Sequence, residues 1–222
     1  MQHTAHNVGL MLVFILLAPP INYLSVLWFE YVDHNGFGLL NLFELPSAIK
    51  IILGMLMLDM GDYFYHRASH RWGLLWAYHR VHHSDFEMDV TTGYRFHPFE
   101  NIGLLVTQML SSFVFGYSLE AVTLYYLIYI PWVITQHANI QFPNWFEKYF
   151  VYVFATPDFH RVHHSYPRVY TDSNYGDLFS IWDRLFGTFK KVNPKEIKFG
   201  LETHLDTKKH SLWFMLIEPF RK

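Results

Sequence analysis

Eight of the fifteen histidines fall into three tight clusters: His66 and His70; His79, His82 and His83; and His160, His163 and His164. The last two clusters sit in the same hexapeptide, His-Arg-Val-His-His-Ser, at 79–84 and again at 160–165. Steps of three and four residues put side chains on one face of a helix, which aims several ring nitrogens at one point. A single pair such as His66 and His70 is ordinary packing or surface decoration in many proteins. A repeated triplet is different, because buried imidazoles need partners and exposed ones have no reason to recur. Three converging clusters hold more nitrogen donors than one zinc ion takes. The pattern predicts a site for two transition-metal ions.

Two further histidines are candidates. His137 closes an apolar run, where a lone ionisable group is a functional residue by default, and it shares a helix face with Val133, Ile130 and Tyr126. His97, in Arg95-Phe96-His97-Pro98, begins a turn and suits capping as well as ligand duty. Metal-bound histidine usually passes its second ring proton to a carboxylate or carbonyl. Asp59, on the same helix stripe as Tyr63, His66 and His70, or Asp62 is placed to receive it from His66. Asp158, Asp85 and Glu87 stand near the other clusters, with helix capping and surface charge as equal alternatives for Asp85 and Glu87.

These side chains need elements to carry them. The 222 residues suit a single domain, 51% hydrophobic and 19% aromatic but only 16% charged. A net charge of −2 and a pI near 6.7 exclude the basic face of a nucleic-acid binder. The absence of cysteine excludes disulfides, iron–sulfur clusters and thiolate-ligated haem.

Four apolar runs stand out. Positions 8–29 carry no charge and reach the length of a membrane span, interrupted by Pro19-Pro20 as a kink or a re-entrant turn. They lack a basic leader and a small-residue cleavage site, so they do not read as a signal peptide. Positions 45–58 hold only Lys50 and reach spanning length if the helix continues through Tyr65. Positions 102–119 and 121–146 are uncharged, with Gly116-Tyr117-Ser118 marking a tight hairpin before Glu120. The expectation is an all-α integral membrane protein with about four transmembrane helices in two hairpins and a helical cap holding the histidines. Arg67, Arg71, Arg80 and Arg95 fall in 66–95, and 147–222 hold most of the remaining basic residues, whereas 29–46 hold none. The positive-inside tendency then puts all three clusters on the cytosolic side of a multi-pass protein. Leu178, Ile181, Trp182, Leu185 and Phe186 recur at helical steps, as an interfacial helix or a core stripe would.

Imidazole alone suits iron, copper, zinc or nickel. A lipid-facing set of eight or nine neutral donors without thiolate suits two irons that use dioxygen, whereas zinc offers hydrolysis or structure. Zinc also readily occupies nitrogen-rich sites during overexpression, so metal content as purified is a weak guide.

The three boxes, His66-x-x-x-His70, His79-x-x-His82-His83 and His160-x-x-His163-His164, resemble those of the fatty acid hydroxylase superfamily, the sterol desaturase-like membrane oxygenases. Further similarity lies in Asp62-Tyr63-Phe64-Tyr65-His66-Arg67, Arg95-Phe96-His97-Pro98-Phe99-Glu100, Gln136-His137-Ala138-Asn139 and Thr156-Pro157-Asp158-Phe159-His160. Asn174-Tyr175-Gly176 followed by Ile181-Trp182-Asp183-Arg184-Leu185-Phe186-Gly187-Thr188 resembles the family's closing signature. The likeness covers about 58–190 of one domain spanning 1–222. It implies a non-haem di-iron membrane enzyme that hydroxylates or desaturates a lipid with dioxygen and two electrons. The eight clustered histidines would be its catalytic ligands, with His137 as a ninth metal ligand. Some members carry a fused cytochrome b5 domain, for which this chain has no room. The resemblance therefore implies a separate electron-donor protein or a reduced pterin. Two rival classes are a membrane zinc-dependent hydrolase, which needs no dioxygen, and a metal carrier or storage protein, whose histidines would follow a transport path.

Overall fold

The computed structural model describes residues 2–192, 196–201 and 211–221, and these form helices and irregular segments with no strand. Helix α1 (Gln2–His34) runs unbroken through Pro19 and Pro20, so the proline pair makes neither a break nor a re-entrant turn. At 33 residues it is about 50 Å long. Helix α2 (Ser47–Arg71) starts after Pro46 and carries the 45–58 run onward past His66 and His70. Helix α3 (Gly73–His83) follows after Trp72 and presents the second cluster.

Helices α4 (Pro98–Phe115) and α5 (Leu119–His137) are joined by the short turn at 116–118 that the sequence marks, but among the long helices each packs chiefly against α1 and α2. His97 caps α4, Pro98 takes its first turn, and Gly116 ends it with a φ of 76°, in the left-handed region that suits glycine. The turn preceding α2 meets this one: a Cβ on Gly38 would lie 2.1 Å from Gly116 N. Helix α5 ends at His137, where the sequence closes its apolar run, and an irregular stretch leads to α6 (Asn144–Phe150). Helices α7 (Pro157–His163), α8 (Arg168–Thr171), α9 (Ile181–Leu185) and α10 (Leu212–Ile217) are short.

The long helices pack as one bundle, with α4 against α1 and α2, and α5 against α2 and α1. Its core gathers Phe29, Leu58, Tyr117, Ala121, Val122, Tyr125 and Leu178. Among the described residues one helical stretch, His3–Leu42, is long and apolar enough to cross a membrane by length and composition. Tyrosines and polar residues in α5, and Glu100 and Gln108 in α4, dilute those helices below that measure. Large apolar side chains nonetheless cover the outside of the bundle, among them Leu16 (78% exposed) and Leu127 (66% exposed).

The chain start lies at the histidine end. His3 Nε2 donates to Asp85 Oδ1 at 2.5 Å, and Arg95, fully buried, donates to Asn7 Oδ1 at 2.8 Å, Ser84 Oγ and Val81 O. Helix α10, for which the sequence suggests no role, packs Leu212 and Met215 against Leu10 and Val81. The 178–186 stripe belongs to the core rather than to an interface. Only Ile181–Leu185 is helical; Leu178 and Trp182 are buried, and Trp182 clusters with Tyr63 and Tyr175. Leu185 alone points out, 68% exposed.

Candidate metal centre

Four elements deliver nine imidazoles to one end of the bundle. Helix α2 brings His66 and His70, α3 brings His79, His82 and His83, and α5 ends on His137. Helix α7 brings His160 and His163, with His164 at its C-cap. The two triplets face each other: His83 and His164 stack with ring centroids 4.6 Å apart, and His83 and His163 lie 4.6 Å apart edge to face. All nine are buried.

They sort into two groups. His66, His70, His79, His83 and His163 form one, and His82, His137, His160 and His164 the other; within each, one nitrogen per ring lies within 4.8 Å of every other. The hydrogen-bond pattern tests whether a cation fits. His66 Nδ1 donates to Tyr175 O at 2.8 Å, and His79 Nδ1 to Glu100 Oε1 at 2.5 Å. Each ring then turns a bare lone pair inward, and the two Nε2 atoms meet at 3.1 Å. Two lone pairs at that distance form no hydrogen bond, so a cation between them is the natural resolution. In the second group His137 Nδ1 donates to Val133 O at 2.8 Å, which turns one bare lone pair inward, toward His160 Nε2 at 3.0 Å. His163 Nδ1 donates to Ser173 O, and its buried Nε2 has no partner among the described residues.

Electrostatics agree. Burial, reinforced by repulsion among neighbouring rings, holds His70, His79, His82, His83, His160, His163 and His164 well below the ordinary histidine range. They stay neutral at pH 7, as metal ligands must. His66 is the exception: burial lowers it, but the Asp177 carboxylate at 3.3 Å outweighs that and raises it. A metal ion at Nε2 would take the place of that proton.

The carboxylates behind the rings differ from the sequence expectation. Asp59 serves Tyr125, Trp182 and the backbone of 178–179, and Asp62 holds Gln108; neither reaches His66. Asp158 pairs with Arg161, and Asp85 with His3, Asn7 and Thr92. Glu100, Asp177 and the carbonyls of Ser173 and Tyr175 do the backing. Glu100 was visible as the acid closing Arg-Phe-His-Pro-Phe-Glu; the backbone oxygens had no signal. His97 stands outside both groups. Its Nδ1 accepts from Phe99 N at 3.2 Å and its Nε2 donates to Leu216 O, so it caps α4 and ties down α10.

The residues of the closing signature build the turn that presents those carbonyls. Asp183 accepts from Tyr175 N, Gly176 N and Thr188 Oγ1, and Asn174, at φ 57°, bonds Phe159 O and Lys190 O.

A cavity of about 550 Å³ runs from the histidines into the bundle between α1, α4 and α5. His66, His79, His82, His137 and His160 line one end, and Phe29, Leu119 and Val122 the other. It follows α5 from Leu119 to His137, which is about 27 Å of helix.

A model described as fatty acid hydroxylase matches residues 51–188. The chain belongs to the fatty acid hydroxylase family. Alkylglycerol monooxygenase of Danio rerio is 37% identical over 172 residues, covering 72% of this chain and 35% of that protein. The Homo sapiens alkylglycerol monooxygenase is 32% identical, covering 75% and 36%, and ornithine lipid hydroxylase of Rhizobium tropici 27% identical, covering 70% and 46%. The chain thus spans little more than a third of the length of the alkylglycerol monooxygenases that it matches. No solved structure matches it. The matched stretch of this family member contains all nine histidines and Glu100.

Proposed function

We propose that this chain is a membrane-bound non-haem di-iron oxygenase that hydroxylates, or desaturates, a C–H bond of a lipid using dioxygen and two electrons. One observation carries the reading: nine buried imidazoles, in two adjacent groups with inward lone pairs, open onto a long apolar cavity. The names of the relatives, lipid monooxygenases and hydroxylases, support a lipid as substrate. His66, His70, His79, His83 and His163 would hold one iron, and His82, His137, His160 and His164 the other. Bound there, two irons would supply the dioxygen chemistry that an unactivated C–H bond requires. The electrons come from outside the chain, from a separate donor protein or a reduced pterin.

The protein's own residues do the rest. Glu100 and the carbonyls of Tyr175, Ser173 and Val133 fix ring orientation and tautomer, so the donors are preorganised. The cavity lays a lipid chain along α5 with one carbon beside the histidines, and burial excludes water. The four long helices form a multi-pass membrane domain with the histidine end cytosolic. Support comes from the apolar outer surface of α1, α4 and α5 and from arginines clustered at 67–95.

Lipid oxidation by the wild type and by His163→Ala, in air and under anaerobic conditions with reductant, tests the reading. The variant should lose activity and bound metal, and anaerobic wild type should form no product. Product formed without dioxygen would replace the oxygenase with a zinc hydrolase.

A further inference from the structure

Helix α2 outlasts α4 at the histidine end. Tyr65 OH donates to Glu100 O at 2.8 Å, in the first turn of α4, yet α2 runs on to Arg71. Six more residues carry the turn into α3 about 9 Å further along the axis. Lipid around the bundle accounts for apolar side chains along α1, α4 and α5, but not for those on this overhanging turn. Trp72 is nevertheless 66% exposed and Leu74 71%. Basic groups flank them. Arg71 is exposed, and the Arg168 guanidinium lies 5.6 Å over the Trp76 ring and donates to His70 O at 3.2 Å. Asp172 offsets part of that charge, pairing with Arg168 at 3.4 Å. Trp76 joins this surface to the metal centre. It is half-buried, and its ring centroid lies 5.1 Å from that of His70 and 5.7 Å from that of His83, both in the group of five.

We infer that the α2–α3 turn is the docking face for an acidic one-electron carrier protein, and that Trp76 relays its electrons to the site held by His70 and His83. The need for electrons rests on the oxygenase reading; the binding of an acidic carrier does not. Trp72 and Leu74 supply an apolar centre, and Arg71 and Arg168 a basic rim that carboxylates on the carrier would match, as in small, transient electron-transfer contacts. A small organic reductant would need a concave pocket, whereas these side chains stand out from the surface. Each docking passes one electron and leaves the carrier oxidised by one unit. Two dockings supply one turnover, in which R–H, O2, two electrons and two protons become R–OH and water.

The test uses iron-loaded full-length protein in detergent with two acidic carriers, soluble cytochrome b5 and a plant-type ferredoxin, and with the basic cytochrome c as control. At least one acidic carrier should bind, more weakly as salt rises, and cytochrome c should not. Arg71→Glu combined with Leu74→Ser, both at exposed positions, should weaken that binding about tenfold or more while metal content holds. In stopped-flow mixing, Trp76→Leu should bind the reduced carrier as the wild type does but accept its electrons several-fold more slowly, whereas dithionite should reduce both proteins alike. Trp76→Phe keeps an aromatic ring and should fall between. Binding of neither acidic carrier, or unchanged binding in the Arg71 and Leu74 double variant, overturns the docking face. Reduction of Trp76→Leu by the carrier at the wild-type rate, or equal slowing with dithionite, overturns the relay. Carrier binding and electron transfer without aerobic lipid oxidation would sink the oxygenase reading and leave the docking face standing.

Discussion

Trp182 Nε1 donates to Asp59 Oδ2 at 2.7 Å across 123 residues of sequence, and that bond ties the irregular C-terminal region to α2. The same carboxylate accepts Tyr125 OH at 2.6 Å and the backbone N–H groups of Leu178 and Phe179. Three separate parts of the chain therefore meet on one buried side chain. The stretch it anchors carries Tyr175 and Asp177, which back His66.

Asp59→Ala strands four buried donors at once. With each costing about 1–3 kcal/mol, the variant should lose roughly 4 kcal/mol or more of stability. Thermal unfolding in detergent should show a large fall in Tm, with metal content falling alongside. Asp59→Asn keeps one acceptor oxygen and should fall between. An Asp59→Ala protein that melts with the wild type would remove the anchor from the account.

The two imidazole groups predict separable metal losses. Wild-type protein reconstituted anaerobically with Fe(II) should carry about two ions per chain, since each group has the donors for one. His160→Ala strips the group of four to three ligands and should release about one ion, leaving the other in place. The pair His79→Ala and His83→Ala takes the group of five down to three and should do the converse. Elemental analysis and Mössbauer spectra read this directly. Loss of both ions in every single variant would mean one cooperative cluster instead of two sites.

Gly38 and Gly116 offer a test of how the turn before α2 meets the turn after α4. A Cβ on Gly38 would lie 2.1 Å from Gly116 N, at a φ of 92° that L side chains rarely adopt. Gly38→Ala should therefore prevent assembly of the bundle, costing several kcal/mol (about 3 or more) because the obstruction is backbone. Gly36→Ala is the control: its φ is 64° but nothing lies within 4 Å, so about 1 kcal/mol is expected. Yield of monodisperse protein and Tm distinguish the two.

Much of this was legible because ligand spacing is local. A histidine repeat at three and four residues survives in any helix, so both triplets and the His66–His70 pair were readable directly. His137 was readable as an ionisable group closing an apolar run. What lay hidden is what acts through the backbone or at a distance. An acid in the first turn of a helix looks like ordinary complement to the helix dipole, so Glu100 was legible as the last residue of Arg-Phe-His-Pro-Phe-Glu but not as the partner of His79. The carbonyls of Ser173 and Tyr175 carry no side-chain signature, and the region holding them follows no period. Its shape comes from Asp183 and Asn174 bonding backbone groups. The helical spacing of 178–186 left interface and core equally open for a related reason: it is Asp59, distant in sequence, that pins Leu178 and Trp182 inward.

The cavity's course along α5 predicts a length ruler. Val133, one turn before His137, lines the wall next to the histidines, and Leu119 lines it at the far end. Val133→Trp places an indole between any lipid and the metal centre. Turnover should drop at least about a hundredfold for every chain length while metal content is kept, because the filled volume displaces substrate rather than ligand. Leu119→Trp sits about 27 Å of helix away and leaves the centre open. Short chains should be oxidised as by the wild type, whereas long chains should show a raised KM, since their tails meet the new ring. Product analysis over a series of chain lengths separates these outcomes. If both variants treat short and long chains alike, the substrate takes another path to the histidines, and the space along α5 is packing rather than a binding site.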